Sequence, residues 1–215
     1  MEREPKSGRT ATGVRYTYSF CDLTPGQLAE VTGLSTELQR VWRRRDQLPV
    51  ATGSPARFNA KDAAEVLVRY ELSRNGLPPG ESGALSAEVA PSVLWFALLS
   101  ADGACEIFGE EATVTAFLEH FENSDEIARD ISGMETLSRF VWRADGGEMD
   151  ITNDRQNMGE EGDYLSVFYM DLATAGVLLA NRIGHPLVTV EMSMEGAPPG
   201  KRIRRLTGRR EADSS

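Results

Sequence analysis

Between positions 36 and 45 the chain reads TELQRVWRRR, placing Arg40, Arg43, Arg44 and Arg45 within six residues and no acid between them. Guanidinium groups clustered this way hold phosphates, and each can read a guanine edge bidentately. An amide such as Gln39 can read adenine. Solubility alone favours mixed signs on a surface, so a run of one sign calls for a partner of the other. On a helix, Thr36, Gln39, Arg40, Arg43 and Arg44 lie on the open surface, while Leu38, Val41, Trp42 and Arg45 share the remaining stripe. The open face has the composition of a helix that enters the major groove of a duplex. Trp42, on the apolar stripe, reads as a core residue rather than a stacking platform.

A groove-reading helix must be held by others. Thr24 is placed to cap a first helix, Pro25 takes its first position, and Gln27 permits a capping box. Leu28 and Val31 face inward with Leu23 beside them, and Gly33 supplies a left-handed stop. Ser35 caps the arginine helix. After Pro49, VATGSPARF reads as a short hairpin around Gly53, Ser54 and Pro55, and Arg57 leaves it where a phosphate can lie. Asn59 caps a third helix with Asp62 in its first turn. Ala63, Val66, Leu67, Tyr70 and Leu72 form its buried side, and Gly76 with Pro78-Pro79-Gly80 ends it.

These residues resemble the DNA-binding domain of the MerR family over about a quarter of the chain. Gly33-Leu34-Ser35 matches the family's Gly-Val-Ser turn. Arg40 and Trp42 match the arginine and last aromatic of Leu-Arg-Tyr-Tyr or Leu-Arg-Tyr-Trp. Leu48-Pro49 matches the end of Gly-Leu-Leu-x-Pro, and Arg57-Phe58-Asn59 with Asp62 matches the wing exit and third helix. The chain differs at Gln39 for leucine, Val41 for the first aromatic and Asp46 for the junction glycine. The resemblance implies a winged helix-turn-helix on double-stranded DNA, with Arg40 and Arg57 on phosphates and Thr36 and Gln39 near bases. It also implies a bacterial or phage setting. The metal-sensing cysteines of some relatives have no counterpart. The long dimerisation helix of the family would be broken at once by Pro78-Pro79-Gly80, so a homodimer is expected through the C-terminal half.

A net charge of −10 in 215 residues looks wrong for a DNA binder until the chain is divided. Residues 1–80 carry a net +3, residues 81–200 a net −17 and residues 201–215 a net +4. The acidity therefore belongs to the middle of the chain, which would face away from a duplex. Cys21 and Cys105 are read as free thiols of a cytoplasmic protein. No apolar run reads as a membrane span and the N-terminus reads as no signal peptide, so no membrane partner is expected.

The expected organisation is a flexible arm at 1–15, a MerR-like domain at 16–78, a linker at 79–91, an acidic α+β domain at 92–195 and a basic tail at 196–215. YTYSFCD alternates aromatics as a strand or extended lead-in. In the acidic domain, SVLWFALL reads as a buried strand turning at Asp102-Gly103 into CEIFG. A helix follows with Val114, Phe117, Leu118 and Phe121 inward, then a short one around Ile127 and Ile131. Leu137–Arg143 and Met149–Thr152 form a hairpin; YLSVFYM is a strand, DLATAGVLLANRIG a helix and LVTVEMSM a last strand. The fold class is thus α+β, with a mainly antiparallel sheet in the second half. The basic tail reads equally as a supplement to DNA affinity or as a segment folded onto the acidic domain.

No catalytic constellation appears. His120 and His185 lack partner spacing, and no Cys/His pattern suits zinc. Asp154, Glu160, Glu161 and Asp163 lack the order of a calcium loop, and Gly146-Gly147 and Gly159 read as turn glycines. The chain is read as a non-enzymatic transcription regulator without cofactor or metal. Its C-terminal half would dimerise, sense a small-molecule effector or contact a protein. The other readings are a phage or mobile-element accessory protein, such as an excisionase or packaging small subunit, and a protein-interaction adaptor.

Overall fold

The computed structural model describes residues 6–9, 13–53, 55–158, 164–194 and 200–208. Residues 1–5 and 10–12 of the expected arm, Ser54 of the wing, Gly159, Glu160, Glu161 and Asp163 of the polar loop, and Arg209 and Arg210 of the tail lie outside that set. Among the described residues the α+β fold has seven α-helices, a mixed five-stranded sheet and two small antiparallel sheets.

β1 (Lys6–Arg9) and β2 (Val14–Phe20) pair antiparallel, so part of the expected flexible arm is a sheet edge. β2 alternates buried Val14, Tyr16 and Tyr18 with exposed Arg15, Thr17 and Ser19, the period of a strand with one wet face. β3 (Asp22–Leu23) leads to α1 (Pro25–Thr32), which opens on the Thr24–Gln27 capping box and stops at Gly33, φ 82°. α2 (Thr36–Arg44) starts where the Ser35 hydroxyl accepts from the Leu38 N–H. Asp46, where the resemblance leads one to expect glycine, takes φ 54°, a region aspartate tolerates better than most side chains. Thr52 and Arg57 exchange two backbone hydrogen bonds across the wing, at 3.0 and 2.8 Å. β4 (Phe58–Asn59) pairs with β3, and α3 (Ala60–Arg74) opens on the Asn59–Asp62 capping box.

α4 (Gly83–Ser100) overturns two expectations at once. Residues 83–91, expected within a linker, and Ser92–Leu99, expected as a strand, are one continuous helix with Pro91 inside it. An apolar run buried on every side has no period, so a core helix and a core strand look alike in sequence. This helix is also long and apolar enough to cross a membrane by length and composition, whereas the sequence alone led to no such segment being expected. Ten of its side chains, among them Val89, Val93, Leu94 and Ala97, are buried inside the fold.

β5 (Cys105–Glu110) runs into α5 (Glu111–Leu118) and then α6 (Phe121–Ser132). β6 (Phe140–Ala144) and β7 (Asp150–Thr152) form the expected hairpin, and β8 (Val167–Asp171) pairs antiparallel with the other edge of β6, giving a separate sheet in the order β7-β6-β8. α7 (Leu172–Ile183) is capped by Asp171 and ended by Gly184, as its sequence predicts. Gly176 lets α7 lie hard against α4: a Cβ there would stand 2.5 Å from the Val93 carbonyl oxygen.

β9 (Val188–Met194) and β10 (Arg202–Thr207) complete the main sheet, ordered β1-β2-β9-β5-β10. β5 and β9 are parallel, so the sheet is mixed rather than mainly antiparallel. With Ser92–Leu99 helical, β5 has no hairpin partner before it and takes strands from the end of the chain instead. Of the two readings of the tail, residues 202–207 take the folded-back one: Arg202 pairs with Glu191, and Arg204 with Glu106. Val14 and Tyr16, Leu28, Phe58, Leu67, Leu94, Leu179 and Val188 belong to one buried cluster, so both ends of the chain meet in it.

Candidate nucleic-acid interface

α2 has one dry side and one charged side. Trp42 is buried against Tyr70 of α3, with ring centroids 6.3 Å apart at 60°, while Leu38 and Val41 are half-buried. The opposite side presents Arg40, Arg43 and Arg44, all exposed, and Arg45 joins them from the C-cap. Among the described residues none of these four guanidinium groups makes a hydrogen bond or ion pair. Four like charges within one and a half turns repel one another by themselves, and an anion laid across them relieves that repulsion.

The six residues singled out in the sequence separate into three groups. Arg40, Arg43 and Arg44 share the exposed face. Thr36, in the first turn of α2, and Arg57 are half-buried; the Thr36 hydroxyl donates to Glu37 at 3.3 Å, and Arg57 sits in the wing bridge. Gln39 does not belong to the face at all. It is 1% exposed, and its Nε2 donates to the carbonyls of Pro25 (3.0 Å) and Leu34 (2.9 Å). The leucine expected at this position would fill the same space; here an amide does so and ties α2 to α1 and to the turn. Its Oε1 is buried without a hydrogen-bond partner.

Two further residues bear on the face. Helical projection puts Arg45 on the apolar stripe, but α2 ends at Arg44 and the side chain turns outward. The left-handed Asp46 one residue later marks where that projection stops applying. Glu37 stands exposed on the arginine face. Backbone hydrogen bonding, then the Thr36 hydroxyl, holds its carboxyl below the usual glutamate range, with Arg40 adding to the effect. A carboxylate there repels phosphate but accepts from a cytosine amine.

The segment that follows α2 is tied down by Arg69 of α3, which is 6% exposed. Its Nε donates to the Ser86 hydroxyl at 3.0 Å and one Nη to the Gly83 carbonyl at 3.1 Å; it also bonds Glu65 and the Gln47 carbonyl. One guanidinium thereby joins the segment after α2, the body of α3 and the start of α4. Burial pushes the Glu65 carboxyl up even with Arg69 beside it. From the other side, Arg182 of α7 donates to the Val31 carbonyl at 2.9 Å, occupying the last turn of α1.

Among the described residues no group of three or more His, Cys, Asp or Glu side chains is arranged to hold a metal ion. No family model, curated protein or solved structure matches this chain.

Proposed function

We propose that α1, its turn and α2, with the wing and α3, act as a winged helix-turn-helix of the MerR kind that binds duplex DNA. The observation that carries this reading is the unpaired exposure of Arg40, Arg43, Arg44 and Arg45 on the side of α2 opposite Trp42. With α2 in the major groove, the arginines would hold phosphates or guanine edges, and Arg57 would hold the backbone from the wing. Base selection would fall to Thr36, Glu37 and the arginines, since Gln39 is occupied inside the fold. The remainder of the chain, net −17 over residues 81–200, would point away from the duplex. A transcription regulator that binds two half-sites as a homodimer is the activity this arrangement suits best.

Titration of the full chain with genomic-fragment duplexes at several salt concentrations tests it. Arg40→Ala and Arg43→Ala should each weaken binding and lower the salt slope by about one for every phosphate no longer held. Affinity indifferent to salt and to both substitutions would instead support a protein-interaction adaptor. Dependence of binding on an integrase or terminase would support the mobile-element accessory role.

A further inference from the structure

Glu37 is the acid on an otherwise basic face, and it stands near the middle of that face. An α-helix turns about 100° per residue, so Glu37 lies about 200° round α2 from the buried Gln39 and about 140° from the buried Trp42. Arg44 stands almost in line with it, about 10 Å further along the helix, and Arg40 lies between them about 60° to one side. All three side chains are exposed.

Glu37 and Arg40 are three residues apart, a spacing at which glutamate and arginine can pair on a helix. Among the described residues they form no ion pair. The Glu37 carboxylate instead accepts from the Thr36 hydroxyl at 3.3 Å, which keeps it at the start of α2. The face therefore offers one open acceptor in its first turn and open donors behind it.

A surface that only held phosphates would gain nothing from a carboxylate at its centre. Against the DNA backbone Glu37 would weaken binding to every sequence alike. The floor of the major groove is where a carboxylate meets N–H donors, and the first turn of a recognition helix is the part that reaches base edges there. Two bases present an amine in that groove. Adenine sets its N7 acceptor beside the amine, which repels a carboxylate, whereas cytosine presents the amine with no acceptor of its own.

We propose that Glu37 is the residue of α2 that selects cytosine, its carboxylate accepting from the N4 amine of one cytosine for each copy of the chain bound. Arg40 and Arg44 supply the positive charge that lets an acid approach the duplex. The inference rests on the DNA reading above and adds the base that the helix would choose.

The test is selection of bound duplexes from a randomised pool by the full chain, for wild type, Glu37→Gln and Glu37→Ala, followed by titration with single-position variants of the enriched duplex. Wild type should favour cytosine about tenfold over the other bases at one position. Glu37→Gln should move the preference at that position towards adenine, whose N6 and N7 an amide can read together. Glu37→Ala should lose the preference there and keep those elsewhere. An acid in a first turn also steadies a helix, and that role alone would lower the thermal midpoint of both variants while leaving the enriched sequence unchanged. Identical enriched sequences for all three proteins, or a Glu37-dependent position that holds a base other than cytosine, overturn the proposal and leave DNA binding standing. A wild-type chain that binds no duplex at any salt concentration removes the DNA reading itself, and this inference with it.

Discussion

Gln39 shows how one side chain can look like a reader of bases and be a part of the scaffold. Its amide lies in the middle of a basic helix, yet both donors are spent on the Pro25 and Leu34 carbonyls. Gln39→Ala should therefore act on folding: a loss of about 2–3 kcal/mol in chemical denaturation, from two orphaned carbonyls and a cavity. At a temperature where the variant is folded, its preference among duplex sequences should equal that of the wild type. Altered base preference with stability intact would return Gln39 to the reading face. Cys105 makes a second residue-level prediction. Burial raises its thiol from the ordinary 9.0 to about 12, so between those values the unfolded chain releases a proton that the folded chain keeps. Stability is then whole below pH 9 and is lost as the pH rises towards 12. A denaturation midpoint followed from about pH 8 to about pH 11 should fall less steeply in Cys105→Ala than in the wild type.

At the level of elements, α2 depends on what α3 holds against it. Arg69 bonds four groups on three segments from a buried position, and Arg69→Met would leave Glu65 and two carbonyls without their cation. The expected cost is about 3 kcal/mol of unfolding free energy, measured by urea titration. These supports divide into what local chemistry announces and what it does not. The caps at Thr24, Ser35, Asn59 and Asp171 and the glycine stops at Gly33 and Gly184 are all legible in the sequence, because each is decided by a few adjacent residues. The arginine face is legible for the same reason: helical spacing alone puts Arg40, Arg43 and Arg44 together. α4 is not, because Ser92–Leu99 is apolar on every side and only its tertiary neighbours distinguish helix from strand. Arg69 is not legible either, since a buried cation is recognised by partners at Ser86 and Gly83 that lie beyond the end of its own helix.

On the scale of the whole molecule, the positive charge of the two termini meets different fates. The arginines of α2 stay open, whereas Arg202 and Arg204 are spent on Glu191 and Glu106 within the sheet. The parallel pairing of β5 with β9 could not be read from local pattern, because register across the length of a chain is set by packing and not by neighbours in sequence. The antiparallel pairing of β2 with β9 has a consequence for how the molecule comes into being. Val14 meets Met194 and Phe20 meets Val188, so a strand made among the first must wait for one made among the last. Until then, on the ribosome, the edge of β2 that β9 will pair with stays open, and the nascent chain carries a template for a stranger's strand. Synthesis that stops short of β9 leaves that template permanently uncovered, so incomplete chains should be insoluble or quickly degraded. A fragment ending after α3 inherits the same defect unless β2 is removed with the rest.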